Sequence, residues 1–187
     1  MKTLKESILS RSSHGGDASK KRMIEEWLKE YNIKNYTIND DLTIDVNGFV
    51  FLNKENLKEF PDYIQFGVVK SFFSCYRNQL TSLRGCPREV HEYFDCSYNN
   101  LTSLEGAPRE VGGLFDCSNN KLTSLKGAPR ITKGSFDCSN NGLISLEGAP
   151  REVGGLFDCS YNKIKFTKED VMKVCNVKGV VYTSKTY

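Results

Sequence analysis

The chain has 187 residues, a net charge of +3 and 26% charged residues, enough for one elongated domain with distinct ends. Its charge is not clustered into a basic stripe, so nucleic acid is not an expected partner. No apolar run approaches the roughly 18 residues of a membrane-spanning helix, and Met1–Ser10 is too polar for a signal peptide.

Residues 1–18 contain Ser12-Ser13-His14-Gly15-Gly16-Asp17, a loop composition that predicts a flexible leader. Ser19 reads as the N-cap of a helix whose apolar face is Met23, Ile24, Trp27, Leu28 and Tyr31. The period then switches to two. Leu42–Val46 and Phe49–Leu52 flank Asn47-Gly48, which predicts a type I′ hairpin. Helix and hairpin, residues 19–49, make the expected N-terminal cap.

Residues 50–166 repeat one phrase every 21 residues: Phe-Asp-Cys-Ser-x-Asn-x-Leu-Thr-Ser-Leu-x-Gly-Ala-Pro-Arg. Its Phe-x-Cys pairs are Phe73/Cys75, Phe94/Cys96, Phe115/Cys117, Phe136/Cys138 and Phe157/Cys159. Val50 and Leu52 take these places in a degenerate first repeat, with Leu57 and Phe60 at its Leu positions. A strict period near 20 residues predicts a solenoid, in which each unit buries its apolar face only against its neighbours. Residues 167–187 form the expected C-terminal cap: a capping-box-like start at Thr167–Asp170, a short helix with Val171, Met172, Val174 and Cys175, and a last strand over Gly179–Thr183.

Phe and Cys alternate by two, so both should face the core from a short parallel strand. Leu80, Leu101, Leu122, Leu143 and Ile164, with Leu83, Leu104, Leu125 and Leu146, should complete that core. Asn78, Asn99, Asn120, Asn141 and Asn162 fall where the chain leaves the strand, and their amides are expected to satisfy backbone groups there. The cysteine column reads as buried free thiols, because equivalent side chains on parallel strands point the same way. Free thiols favour a reducing compartment, and a cytoplasmic location is expected. Zinc is not expected without close Cys pairs, nor calcium from a flat row of carboxylates, so no cofactor is expected.

The run Phe115-Asp-Cys-Ser-Asn-Asn-Lys-Leu122 resembles the leucine-rich repeat consensus L-x-L-x-x-N-x-L. The Leu-Thr-Ser-Leu run before a Pro-containing segment resembles the short bacterial-type repeats of secreted effectors. The helix with Glu-Trp-Leu, followed by the repeats, is similar to uncharacterised bacteriophage-encoded repeat proteins. The resemblance implies a leucine-rich repeat solenoid of the α+β class, with parallel strands on the concave face, irregular convex segments and a cap at each end. It implies protein binding in a host cytoplasm. The effector ligases carry a catalytic domain after their repeats; here the chain runs only some 21 residues past its own, so no ligase activity is inferred.

Residues between the core positions should point outward on the concave sheet. One column holds Phe72, Tyr93, Leu114, Ser135 and Leu156; the next holds Ser74, Asp95, Asp116, Asp137 and Asp158. Tyr76 and a serine column follow, beside Arg77, Tyr98, Asn119, Asn140 and Tyr161. One reading makes the aspartates a site for a basic protein partner, anchored by the flanking aromatics. The other ties them to neighbouring Ser hydroxyls as a by-product of repeat duplication. After each Pro, Arg88-Glu89, Arg109-Glu110 and Arg151-Glu152 should form a solvated, mutually paired face, which Arg130-Ile131 interrupts. With only two histidines, a small hydrolytic site of His91, Asp95 and a nearby Tyr is a distant alternative to a non-enzymatic binding module. A virion-associated structural component is another, and the oligomeric state is left open.

Overall fold

The computed structural model describes residues 13–184. Helix α1 spans Ser13–Glu30, so Ser19 lies inside the helix rather than capping it. Residues 13–18 of the expected leader are helical, and the rest of that leader falls outside the described residues. Ile24, Trp27 and Leu28 are buried while Met23 is exposed. The Trp27 ring packs at 6.2 Å from both Phe60 and Phe66, which seats the helix on the first turns.

Strands β1 (Tyr36–Ile38) and β2 (Ile44–Val46) pair antiparallel. The chain then winds as a parallel-strand solenoid of seven turns with two sheets. The eight-stranded sheet runs β1, β2, β4 (Phe66–Val69), β6 (Glu89–Val90), β8 (Glu110–Val111), β10 (Ile131–Thr132), β12 (Glu152–Val153) and β14 (Asn176–Val177). The seven-stranded sheet runs β3 (Val50–Phe51), β5 (Phe73–Ser74), β7 (Phe94–Asp95), β9 (Phe115–Asp116), β11 (Phe136–Asp137), β13 (Phe157–Asp158) and β15 (Val181–Tyr182). The return segments are therefore not irregular throughout: each carries a strand of the second parallel sheet. Helix α2 (Lys168–Val174) forms part of the last turn, and Thr167 and Asp170 close a capping box.

The hairpin expected at Asn47-Gly48 lies one element earlier. Its turn is built by Asp41, whose carboxylate accepts the Thr43 N–H at 3.0 Å and its hydroxyl at 2.6 Å, with Leu42 at φ 63°. Asn47-Gly48 instead forms the corner between the two sheets. Val50 donates its N–H to the Phe72 carbonyl at 2.9 Å, so β3 joins the next turn of the solenoid, not β2. The register Val50↔Phe73 agrees with the degenerate first repeat.

Within the turns, Phe73, Phe94, Phe115, Phe136 and Phe157 are buried and stack at successive centroid distances of 5.5, 5.3, 5.4 and 5.3 Å. Each asparagine of the ladder joins its own turn to the one before. Asn99 donates its amide to the Cys75, Cys96 and Ser97 carbonyls at 3.0, 3.1 and 3.2 Å and accepts the Leu80 N–H at 2.9 Å. Each such bond contributes roughly 0.5–1.5 kcal/mol, and leaving its buried partners unpaired costs more. Gly106 takes φ 91°, and an added Cβ there would sit 2.8 Å from the Leu83 backbone, so the Gly-Ala-Pro turn requires glycine. Ile164 departs from expectation: it is 45% exposed, and Phe166 supplies the buried apolar group of the last turn. Among the described residues no further turn covers Ile164, and α2 follows in its place.

Candidate functional site

The outer face of the seven-stranded sheet carries the candidate binding residues. Along its corner, Phe49, Phe72, Tyr93, Leu114, Ser135, Leu156 and Val180 occupy one column, fixed by bonds such as Phe94 N–H to Leu114 O at 2.8 Å. Phe49 is 59% exposed, Leu114 37% and Val180 58%; Phe72 and Leu156 are half-buried. Phe49 stacks on Phe72 at 5.0 Å, and Phe72 on Tyr93 at 4.6 Å. Across the strands, Tyr76 meets Tyr98 edge-on at 5.4 Å. Phe72, Tyr76, Tyr93, Tyr98 and Leu114 thus gather on the early turns, whereas Leu156 and Tyr161 lie near the far end. Sequence reasoning missed Phe49, Phe51, Val180 and Tyr182, all exposed. Alternation of Phe49 and Phe51 with buried Val50 and Leu52 was the available signal.

The aspartate row is bound into the fold. Asp95, Asp116, Asp137 and Asp158 each accept the N–H of the serine two residues on, at 2.9, 2.9, 2.9 and 2.8 Å. Ser97 and Ser160 also donate their hydroxyls to Asp95 and Asp158 at 2.6 Å. These are Asx turns, and they correct the outward placement of the serines: Ser97, Ser118, Ser139 and Ser160 are buried. Burial of the half-covered Asp116 carboxyl pushes its pKa up to about 6; bonds from Ser118 oppose this, and Asp137 and Asp95 add to it. Asp137 is raised as well, again chiefly by burial.

Beyond Tyr76 and each buried serine of this column the backbone turns left-handed. Arg77, Tyr98, Asn119, Asn140 and Tyr161 have φ of 54°, 54°, 55°, 53° and 53°. Asn adopts this region readily, whereas other side chains raise its cost. Tyr98 and Tyr161 are therefore not the residues the backbone would select.

The cysteine column is buried and free. Cys96, Cys117 and Cys138 donate weak S–H bonds to the Asp116, Asp137 and Asp158 carbonyls at 3.3, 3.2 and 3.2 Å. Burial pushes these thiols well above their ordinary pKa, and that of Cys159 up to about 12, which leaves little thiolate for chemistry.

On the eight-stranded side, Arg88, Arg109, Arg130 and Arg151 are exposed. They do not pair with the glutamates beside them; among the described residues their one ion pair is Arg88 with Asp41 at 3.6 Å. A groove of about 750 Å³ lies there between the hairpin turn and the sheet. Its Asp45 is occupied internally, by the Val68 N–H at 2.7 Å and the Asn39 amide at 3.1 Å. His91 sits at the corner between the sheets, and its Nε2 meets Glu89 at 3.1 Å. Asp95 is held by Ser97, so His91 and Asp95 are not a hydrogen-bonded pair. Among the described residues no helix is long and apolar enough to cross a membrane. Compared with known proteins, the chain matches no family model, no curated protein and no solved structure.

Proposed function

We propose that this chain is a non-enzymatic binding solenoid of the leucine-rich repeat kind, and that it takes a partner protein on the outer face of its seven-stranded sheet. The carrying observation is the apolar column Phe49, Phe72, Tyr93 and Leu114, which stays open to solvent on adjacent turns. Contiguous exposed apolar groups on a regular surface mark interaction sites, and aromatic residues are the usual anchors of such interfaces. Tyr98 and Tyr161 support the reading, because they replace asparagine in a left-handed backbone. The Phe-x-Cys-x-x-Asn phrase and its asparagine ladder support the repeat class. The resemblance to bacteriophage-encoded repeat proteins gives the concrete version: a phage protein in the host cytoplasm that binds and blocks a host defence protein.

Affinity capture from a host lysate tests this. Charge reversal at Asp116 or Asp137 is a poor probe, since it would break Asx turns. Leu114→Lys changes only the exposed column, and Glu110→Lys changes the opposite sheet. The reading expects one protein captured by wild type and by Glu110→Lys but lost with Leu114→Lys. Capture that follows Glu110 instead would refute the face.

A second reading, a self-assembling virion-associated component, draws on the ends of the seven-stranded sheet. Among the described residues no strand pairs with the outer edge of β3 or β15, where Phe51 and Tyr182 are exposed. Light scattering that shows a monomer across a wide concentration range would remove it.

A further inference from the structure

The aromatic stack on the seven-stranded sheet ends at a recess. Phe72 and Tyr93 are nearly parallel, 4° apart, so the second face of Tyr93 looks along the solenoid toward Leu114. There, Tyr93, Leu114, Gly112 and Gly113 line a recess of about 440 Å³ together with His91, Glu92 and Asp95. In this turn the backbone approaches too closely for a side chain at either glycine. A Cβ on Gly112 would collide with the His91 carbonyl, and one on Gly113 would lie 2.8 Å from that of Glu92. On the Leu114 side of Tyr93 no side chain therefore rises from Gly112 or Gly113.

Two carboxylates and one imidazole, Glu92, Asp95 and His91, border the recess. Glu92 Oε2 accepts the Ser71 hydroxyl at 2.6 Å, and Asp95 Oδ1 accepts Ser97 groups at 2.9 and 2.6 Å. Glu92 Oε1 remains, together with Asp95 Oδ2, which Ser74 reaches only at 3.5 Å. Among the described residues no Lys or Arg pairs with either carboxylate, and His91 is engaged by Glu89. Both carboxylates act on the ring: after burial, Asp95 and then Glu92 hold the Tyr93 phenol above its ordinary pKa.

We infer that this recess seats an arginine side chain of the partner protein, with the guanidinium stacked on the second face of Tyr93 and its N–H groups turned to Glu92 and Asp95. The inference rests on the protein-binding reading and names the chemistry of its contact. A guanidinium is flat, permanently charged and weakly hydrated, so it satisfies an aromatic face and two carboxylates together. A lysine ammonium cannot stack as a plane. A neutral aromatic side chain would fill the recess but bring both carboxylates no counter-charge.

The probe is a blocked pentapeptide with a central arginine between glycines, titrated into the labelled chain and followed by amide NMR. Saturable shifts are expected at Gly112, Gly113 and Leu114. The lysine version should bind about two- to fivefold more weakly, as should Tyr93→Ala and Glu92→Gln against the arginine peptide. Glu92→Gln alters an exposed side chain and keeps the test valid if Tyr93→Ala perturbs the fold. Unmoved amides, or equal response to both peptides, would overturn the inference. A partner captured through Leu114 yet indifferent to Tyr93→Ala and Glu92→Gln would also overturn it while leaving the face reading intact. Capture indifferent to Leu114→Lys would sink the face reading itself.

Discussion

Asp116 shows how one side chain on the candidate face serves the fold. Its folded pKa of about 6 lies above the ordinary 3.8, so the protonated form stabilises the native state. That stabilisation is complete below pH 3.8 and is lost as pH rises through about 6. Asp116→Asn keeps an oxygen for the Ser118 N–H and removes the half-buried charge. It should raise stability at pH 7–8 by about 1–3 kcal/mol and have little effect near pH 3.5, read from urea midpoints across pH. Thr132 poses a related cost. It stands where other turns place Val90, Val111 and Val153, and its buried hydroxyl has no hydrogen-bond partner. Thr132→Val should therefore stabilise by about 1 kcal/mol in the same assay. The Asp-x-Ser spacing was a readable Asx-turn signal. Its burial was not readable, because that depends on how closely the next turn packs.

At the scale of elements, the strands are mostly two residues long, too short for alternation to reveal them. Phe-Asp-Cys was legible because it recurs in register and its apolar sites are strong. Glu-Val followed by Gly-Gly was not, so the second sheet went unread. The Asn47-Gly48 signal marks a sharp change of direction, but it cannot say whether the next strand returns beside the last or enters another sheet. Side-chain burial decided that: Val46 and Val50 both reach the shared core from different sheets. Helix α2 was legible from its cap. Thr167 Oγ1 accepts the Asp170 N–H at 3.2 Å, and Asp170 accepts the Thr167 N–H at 3.0 Å. Thr167→Ala should cost about 1 kcal/mol and loosen the last turn first, seen as faster amide exchange over residues 168–175.

At the scale of the whole molecule, each column is a ladder and each turn touches only its neighbours, so stability is nearly a sum of local terms. The core columns of Phe, Cys, Asn and Leu were legible because they repeat. The candidate site depends on where the repeats differ: Phe72, Tyr93 and Leu114 in one column, Tyr98 and Tyr161 in another. Those differences were visible in the sequence, but their division into an exposed apolar column and a tied acidic row was not. The proposed partner lies on the seven-stranded face. Hydrogen–deuterium exchange of the chain with and without its captured partner tests this most directly. Added protection is predicted over residues 72–76, 93–98 and 112–116, with residues 88–90 and 109–111 unchanged. Protection confined to the latter two segments would place the partner on the eight-stranded sheet and refute binding on the seven-stranded face.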